Sequence, residues 1–329
     1  MIQRVRAIDS LVEDYSRKYI STSYRRNWKK VSEKHGVVTV HRVNFFLHWF
    51  FIFKLILAAK CVYVHSVFNV VFALPAYLLR KKIVTDVHGA VPEETHAQGK
   101  SVRALIRSLA ERVASYRSTA LVCVTQRMAD HLARKYPNSA PPLILPIFNT
   151  ELARREGESL DMPRNIPPTM IYAGGLQIWQ NIEKMLEFAV INKKYKYLFL
   201  TPDSDSLRAR ALKYGDIDAD FFSCPHSQVA EYYRAADFGF LLRDDNIINN
   251  VACPTKAIEY MAYGVIPVVL NMGIGDFEAL GASFLLLSEM GDPPDAAEVS
   301  AMRRKNFYCL ERLVEQYHNG SAELMSLLV

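Results

Sequence analysis

The chain has 329 residues, half of them hydrophobic, with 40 Lys and Arg, 34 Asp and Glu and a formal net charge of +6. That length allows two ordinary domains, and that hydrophobic fraction supports a sizeable core, which excludes an intrinsically disordered chain. The five cysteines (Cys61, Cys123, Cys224, Cys253 and Cys309) form no CxxC pair and no disulfide framework, so they point to a reducing compartment and to no zinc site.

Taken in chain order, the first domain opens on a helix-like stretch, Arg4–Ile20, with no strand or glycine loop before it. Arg17, Lys18, Arg25, Arg26, Lys29, Lys30 and Lys34 follow, in a segment too polar and too long for the start of a signal peptide. The apolar stretch Val43–Ala59 (VNFFLHWFFIFKLILAA) falls short of the roughly 20 residues of a membrane span and contains His48 and Lys54. It reads as a core or interfacial helix whose aromatics touch lipid headgroups. Gly36–His41 and Cys61–His65 are predicted strands, and Phe68–Leu79 a helix. Lys82–Val87 (KIVTDV) is a strand ending in His88-Gly89. A polar loop leads to a helix over Ser101–Tyr116, a strand over Ala120–Val124 and a helix over Gln126–Lys135. Alternation of this kind predicts a parallel sheet covered on both faces.

Thr150–Pro168 interrupts the pattern with charge and prolines and is the expected linker. It divides the chain into domains 1–150 and 151–329, the final helix being expected to pack back on the first. The second domain alternates again: strand Thr169–Ala173, a helix starting near Trp179, strand Tyr197–Leu200, a helix to about Lys213, strand Ile217–Phe222 and helix Ser227–Ala235. Strand Asp237–Leu242, helix Thr255–Ala262 and strand Ile266–Leu270 complete it. The fold class is therefore α/β, two Rossmann-like domains facing each other across a cleft, with ligands at the carboxyl ends of strands.

Charge divides along the same line. Residues 1–150 hold 23 Lys and Arg against 9 Asp and Glu, whereas residues 151–329 hold 17 against 25. A basic first half suggests an anionic partner, with a solvated basic face as the plainer alternative. An anionic membrane surface fits. Nucleic acid is not expected, because no recognition motif accompanies the charge.

The densest chemistry follows Asp237–Leu242. Arg243-Asp244-Asp245 and a polar loop lead to Pro254-Thr255-Lys256, which open a helix. Free N–H groups and the positive end of the dipole at such a start suit a phosphate, and Lys256 in the first turn, unfavourable for the helix itself, is explained by a nearby anion. Glu259, three residues on, shares its face and can accept ribose hydroxyls. An ordinary helix with a surface Lys and Glu is the alternative on spacing alone. His65-Ser66 and Glu93-Glu94, after strand ends of the first domain, are candidates for acceptor contacts. The DxD triplets in Asp216–Asp220 and Asp203–Asp205 are read as chance, since Asp216–Asp220 starts a strand.

The stretch Tyr232–Val269 (YYRAADFGFLLRDDNIINNVACPTKAIEYMAYGVIPVV) resembles the donor-binding signature of glycosyltransferase family 4, of GT-B fold: strand, polar loop, Pro-x-Lys, Glu-Tyr-Met-Ala-x-Gly, Pro-Val-Val. Tyr172-Ala-Gly-Gly175 is similar to the start of that family's donor domain, and Ala120–Thr125 to the end of its acceptor domain. The resemblance implies a retaining sugar transfer from a nucleotide diphosphate sugar to a lipid-linked or saccharide acceptor, with no cofactor and no obligatory metal. It implies Glu259 on the ribose, Lys256 and Arg243 on the diphosphate with Pro254 and Thr255 at the helix start, and backbone approach at Gly174 and Gly175. His88 would face the transferred sugar. The family's paired acidic residues are reduced to Glu259, with Val251 eight positions earlier. The loop Gly174–Asn181 carries no cation, leaving Gln177, Gln180 and Asn181 to donate hydrogen bonds. A cytoplasmic enzyme, peripheral on the inner face of the plasma membrane, is the expectation. A nucleotide-sugar epimerase and a non-catalytic scaffold of the same fold are the alternatives.

Overall fold

The computed structural model describes residues 2–146, 148, 152 and 165–329. The linker expected over Thr150–Pro168 lies outside the described residues, apart from residue 152 and residues 165–168. Two compact units are present: Met1–Ile147 with Gln316–Val329, and Phe148–Glu315.

The first unit runs α1 (Ile2–Leu11), β1 (Arg17–Ser23), β2 (Val31–His35), β3 (Val38–Asn44), α2 (Trp49–Ala58), β4 (Cys61–His65), α3 (Leu74–Leu78), β5 (Lys82–Val87), α4 (Val91–Ala97), α5 (Ser101–Arg117), β6 (Ala120–Cys123), α6 (Gln126–Lys135) and β7 (Pro142–Ile144). Strands β4-β5-β6-β7 form a parallel sheet, and β1-β3-β2 a separate one in which β2 runs antiparallel to β3. After Lys82 every residue of β5 is buried, as expected for a strand covered on both faces.

Several sequence expectations need correction. Arg4–Ile20 is not one helix. The Arg17 guanidinium donates to the carbonyls of Val12, Glu13 and Tyr15 and pairs with Asp9 at 2.5 Å. It thereby satisfies acceptors of the turn that follows Leu11 and starts β1. Of Val43–Ala59 only Trp49–Ala58 is helical, because Asn44 ends β3 and its side chain accepts from the N–H groups of Phe46 and Leu47. Phe68–Leu79 is a 3-10 turn at Val67–Asn69 followed by the short α3. The polar loop after Gly89 contains α4, opened by Pro92 in its first turn.

The second unit runs β8 (Thr169–Ala173), α7 (Ile182–Ile191), β9 (Lys196–Leu200), α8 (Ser204–Ala211), β10 (Ala219–Phe222), α9 (Val229–Arg234), β11 (Phe238–Phe240), α10 (Ile247–Asn250), α11 (Thr255–Ala262), β12 (Ile266–Val269), β13 (Leu285–Leu286) and α12 (Ala296–Leu328), the last helix ending in the first unit. Its six strands are all parallel, in the order β10-β9-β8-β11-β12-β13. This is the doubly wound Rossmann order, and β8 and β11 flank the point where it reverses. Buried aromatics fill the core, with Phe199 stacked between Phe221 and Phe240 at centroid distances of 5.1 and 6.3 Å.

No helix among the described residues is long and apolar enough to cross a membrane. Within the first unit, Leu324 of α12 packs with Ile8, Val84, Val122, Leu143 and Leu145. One turn earlier a Cβ on Gly320 would lie 2.1 Å from the Ile144 carbonyl oxygen. Alanine normally favours a helix over glycine, but here the obstacle is backbone. Gly320→Ala should therefore destabilise the protein by about 1–3 kcal/mol in urea unfolding, and a stabilised variant would refute that packing.

Candidate active site

At the reversal point of the second unit, Tyr260 anchors α11 against the sheet. Its hydroxyl lies 3.4 and 3.3 Å from the carbonyl oxygens of Ile171 and Phe240. Close approach is possible because residue 239 is glycine: a Cβ there would meet the Tyr260 ring at 2.5 Å. The helix start is thus held beside the carboxyl ends of β8 and β11. Pro254 is itself the N-cap rather than the first helical residue, and no side chain caps the helix, so its leading N–H groups stay available to a ligand.

Lys256 projects toward β8. Its Nζ sits 4.2 Å above the Tyr172 ring and 3.5 Å from Gln180 Oε1. Gly174 leaves room for it, since a Cβ there would lie 2.8 Å from that ammonium and 2.9 Å from the Tyr172 hydroxyl. The Tyr172 hydroxyl donates to the Gly175 carbonyl at 2.6 Å. Arg243 shares this environment and interacts electrostatically with both Tyr172 and Lys256. Neither cation forms an ion pair among the described residues. Burial, reinforced by Arg243, pushes the Lys256 ammonium down to about 7, against a smaller upward pull from Glu259. Two cations facing no close carboxylate are prepared for an anion from outside the chain.

Asn181 takes the left-handed conformation at φ 54°, ψ 45°, and its amide donates to the Leu242 carbonyl at 3.2 Å, tying the Gly174–Asn181 loop to the end of β11. Glu259 accepts from the Tyr233 hydroxyl at 3.3 Å. Burial raises its pKa, opposed by His226, Tyr233 and Lys256. Val251 is 1% exposed, so the position where the family keeps a second acid lies in apolar packing. Sequence reasoning missed Tyr172 as a wall of this site, although it begins the quoted Tyr-Ala-Gly-Gly.

In the first unit His88 lies beside a residue that the sequence reading passed over. Asp86, two residues earlier on β5, is fully buried, and Arg4 grips it from α1 with Nε–Oδ2 at 2.9 Å and Nη2–Oδ1 at 3.0 Å. The third arm of Arg4 donates to the Leu145 carbonyl, and the Tyr63 hydroxyl donates to Oδ2 at 2.9 Å. His88 Nδ1 is 3.5 Å from Oδ1 and His65 Nδ1 is 3.9 Å from Oδ2. Burial alone would raise the Asp86 pKa, but Arg4 and His88 hold it far below the usual carboxylate range. The missed signal was an acid inside an otherwise buried strand, which requires a buried partner.

Ser66, which follows β4, has φ 70° and ψ 147°, a conformation largely reserved for glycine, and its N–H donates to the Asp86 carbonyl. Glu94 approaches the same place, for a Cβ on Gly89 would lie 2.8 Å from its Oε1. Glu93 does not join them. It pairs with Lys135 at 2.7 Å and His131 at 3.3 Å, and Lys135 also pairs with Glu111. Burial opposes ionisation of Glu93, yet these partners hold its pKa down to about 2. His65, Ser66 and His88 are therefore neighbours around Asp86, with Glu94 beside Gly89 and within electrostatic reach of His88, and Glu93 held in a separate ionic network. Among the described residues no three His, Cys, Asp or Glu side chains gather as a metal site, and Asp216, Asp218 and Asp220 are exposed.

The model of the family Glycosyltransferase Family 4 matches residues 14–146. No curated protein matches the sequence. Among solved structures, an apo structure of OtsA aligns with a TM-score of 0.65 at 13% identity, covering 98% of this chain and 95% of that one. Sucrose-phosphate synthase from Thermosynechococcus elongatus gives 0.63 at 16%, covering 98% and 91%. The Anabaena protein HepE, in complex with UDP and glucose, gives 0.65 at 11%, covering 98% and 96%. At these identities the likeness is one of fold, and it agrees with the α/β architecture read from the sequence. Residues 14–146 thus resemble glycosyltransferase family 4, and the fold of the chain is GT-B.

Proposed function

We propose that the protein transfers a sugar from a nucleotide diphosphate sugar to a lipid-linked or saccharide acceptor. The observation that carries this reading is the pairing of Lys256 and Arg243, without ion-pair partners among the described residues, beside the uncapped start of α11. As the bond to the sugar breaks, negative charge grows on the departing diphosphate, and fixed cations with a helix dipole stabilise it. Glu259 would accept the ribose hydroxyls, and Gln180 and Asn181 would supplement the phosphate contacts. His88 would meet the transferred sugar, with retention of configuration. The reading assigns no role to a cofactor or metal. It is supported by the HepE structures, in complex with UDP-glucose, with UDP and glucose, and with UDP.

Calorimetric titration with a panel of nucleotide sugars tests this. One nucleotide should bind preferentially, and Glu259→Ala should weaken it about tenfold through loss of hydrogen bonds to a charged group. A protein that binds none would be a scaffold on the same fold.

The acceptor is proposed to be reached at a membrane, as befits a peripheral protein on the inner face of the plasma membrane. Arg25, Arg26, Lys29 and Lys30 lie exposed in the β1–β2 loop around Trp28. Tyr24 of the same loop packs on Phe45, Phe46 and Phe72, joining the cations to the aromatic stretch. On α5, Val102, Leu105, Ile106 and Leu109 are all more than half exposed and repeat with helical period. Flotation with anionic liposomes should show binding that falls at high salt. Neutralising the four cations should weaken it at least a hundredfold, at roughly 1 kcal/mol for each. Binding indifferent to both would contradict a membrane role.

A further inference from the structure

We propose that Asp86 is a positioning residue that fixes the tautomer of His88, taking its Nδ1–H and leaving Nε2 as a hydrogen-bond acceptor for a sugar hydroxyl. The assignment follows from counting lone pairs. An ionised carboxylate offers about two acceptor sites on each oxygen. Arg4 Nε and the Tyr63 hydroxyl fill both on Oδ2, while Arg4 Nη2 fills one on Oδ1. The open site on Oδ1 is the one His88 Nδ1 approaches at 3.5 Å, and that nitrogen is buried with no hydrogen-bond partner. A small movement when ligand arrives closes the remaining gap. His65 stands 3.9 Å from the oxygen that is already filled, with its ring edge-on to Tyr63 at 4.7 Å, so it takes the weaker place.

Arg4 sets the electrostatics as well. Because its charge balances that of Asp86 in a buried pair, the carboxylate meets the imidazole as a fixed hydrogen-bond acceptor rather than as an unpaired charge. A neutral ring with hydrogen on Nδ1 presents a lone pair at Nε2, whereas the other tautomer would present a donor. The identity of the acting nitrogen is thus decided by a residue of the buried strand and by an arginine 82 positions away. This inference rests on the proposal that His88 meets the transferred sugar, and it is tested apart from it.

The experiment is nitrogen-15 NMR on the full chain labelled at histidine, near pH 8, with His88→Gln providing the assignment. The wild type should show His88 as the Nδ1–H tautomer, and an Nε2–H tautomer would overturn the proposal without any variant. Asp86→Asn leaves Arg4 unpaired and can fail to fold. The double variant Arg4→Met with Asp86→Leu removes both charges, and in it His88 should revert to Nε2–H. Retention of Nδ1–H there would overturn the role of Asp86. Should the wild type show Nδ1–H while His88→Gln transfers sugar at an unchanged rate, the positioning stands and the function proposed for His88 falls.

Discussion

Arg4→Met should destabilise the first unit by about 3–5 kcal/mol, because it leaves a carboxylate buried without its counter-charge. Both partners are almost fully enclosed, at 2% and 0% side-chain exposure, and the guanidinium makes two contacts to the carboxylate and one to the Leu145 carbonyl. The double variant with Asp86→Leu should recover most of the loss, since exchanging a whole buried pair for apolar side chains is often neutral. The two variants also differ in pH dependence. In the wild type the depressed Asp86 pKa contributes stability that is present above the unfolded value and lost only as pH falls through the depressed folded value. Without Arg4, burial raises that pKa above its unfolded value. Folding then takes up a proton, and the deficit of Arg4→Met should shrink between pH 8 and pH 5. Urea unfolding at both pH values measures this, and a pH-independent deficit would show that Asp86 stays ionised without Arg4.

The same residues show what the sequence made legible. The limits of α6 and α11 were read correctly, because their signals are local: Thr125 caps α6 by accepting from the Met128 N–H at 3.0 Å, and Pro254 precedes Thr255. The buried run KIVTDV identified β5 by composition alone. The end of α1 was missed because it depends on Arg17 turning back onto three carbonyls, a contact that no periodicity reveals. In the candidate site, Lys256 and Glu259 followed from helical spacing. The convergence of Lys256 with Tyr172 and Gly174 did not, because strand order rather than sequence distance brings β8 beside β11. Arg4 and Asp86 are likewise 82 residues apart in the chain. An acid in a buried strand indicates that a partner exists, while only the fold identifies it.

Lys256→Ala should weaken nucleotide-sugar binding roughly ten- to a hundredfold, the loss of about 1.5–3 kcal/mol expected for hydrogen bonds to a charged group. The wild type should also bind in a pH-dependent way that the variant lacks. With the site empty, burial and Arg243 depress the Lys256 pKa to about 7, so near pH 8 much of it is neutral. A diphosphate beside the ammonium favours the charged form and raises that pKa, so binding takes up a proton. Affinity should be greatest below about pH 7 and decline as pH rises through the bound-state value. A nucleotide sugar is the suitable probe, because its esterified phosphates do not titrate there. The empty protein should behave in the opposite sense. Its folded pKa lies below the unfolded 10.5, so unfolding takes up protons between about 7 and 10 and stability rises across that window. Titration calorimetry at pH 8 in two buffers of different protonation enthalpy measures the proton directly. If the wild type takes up none and its affinity is flat from pH 6 to 9, Lys256 does not face the diphosphate, and the charge on the leaving group must be met elsewhere.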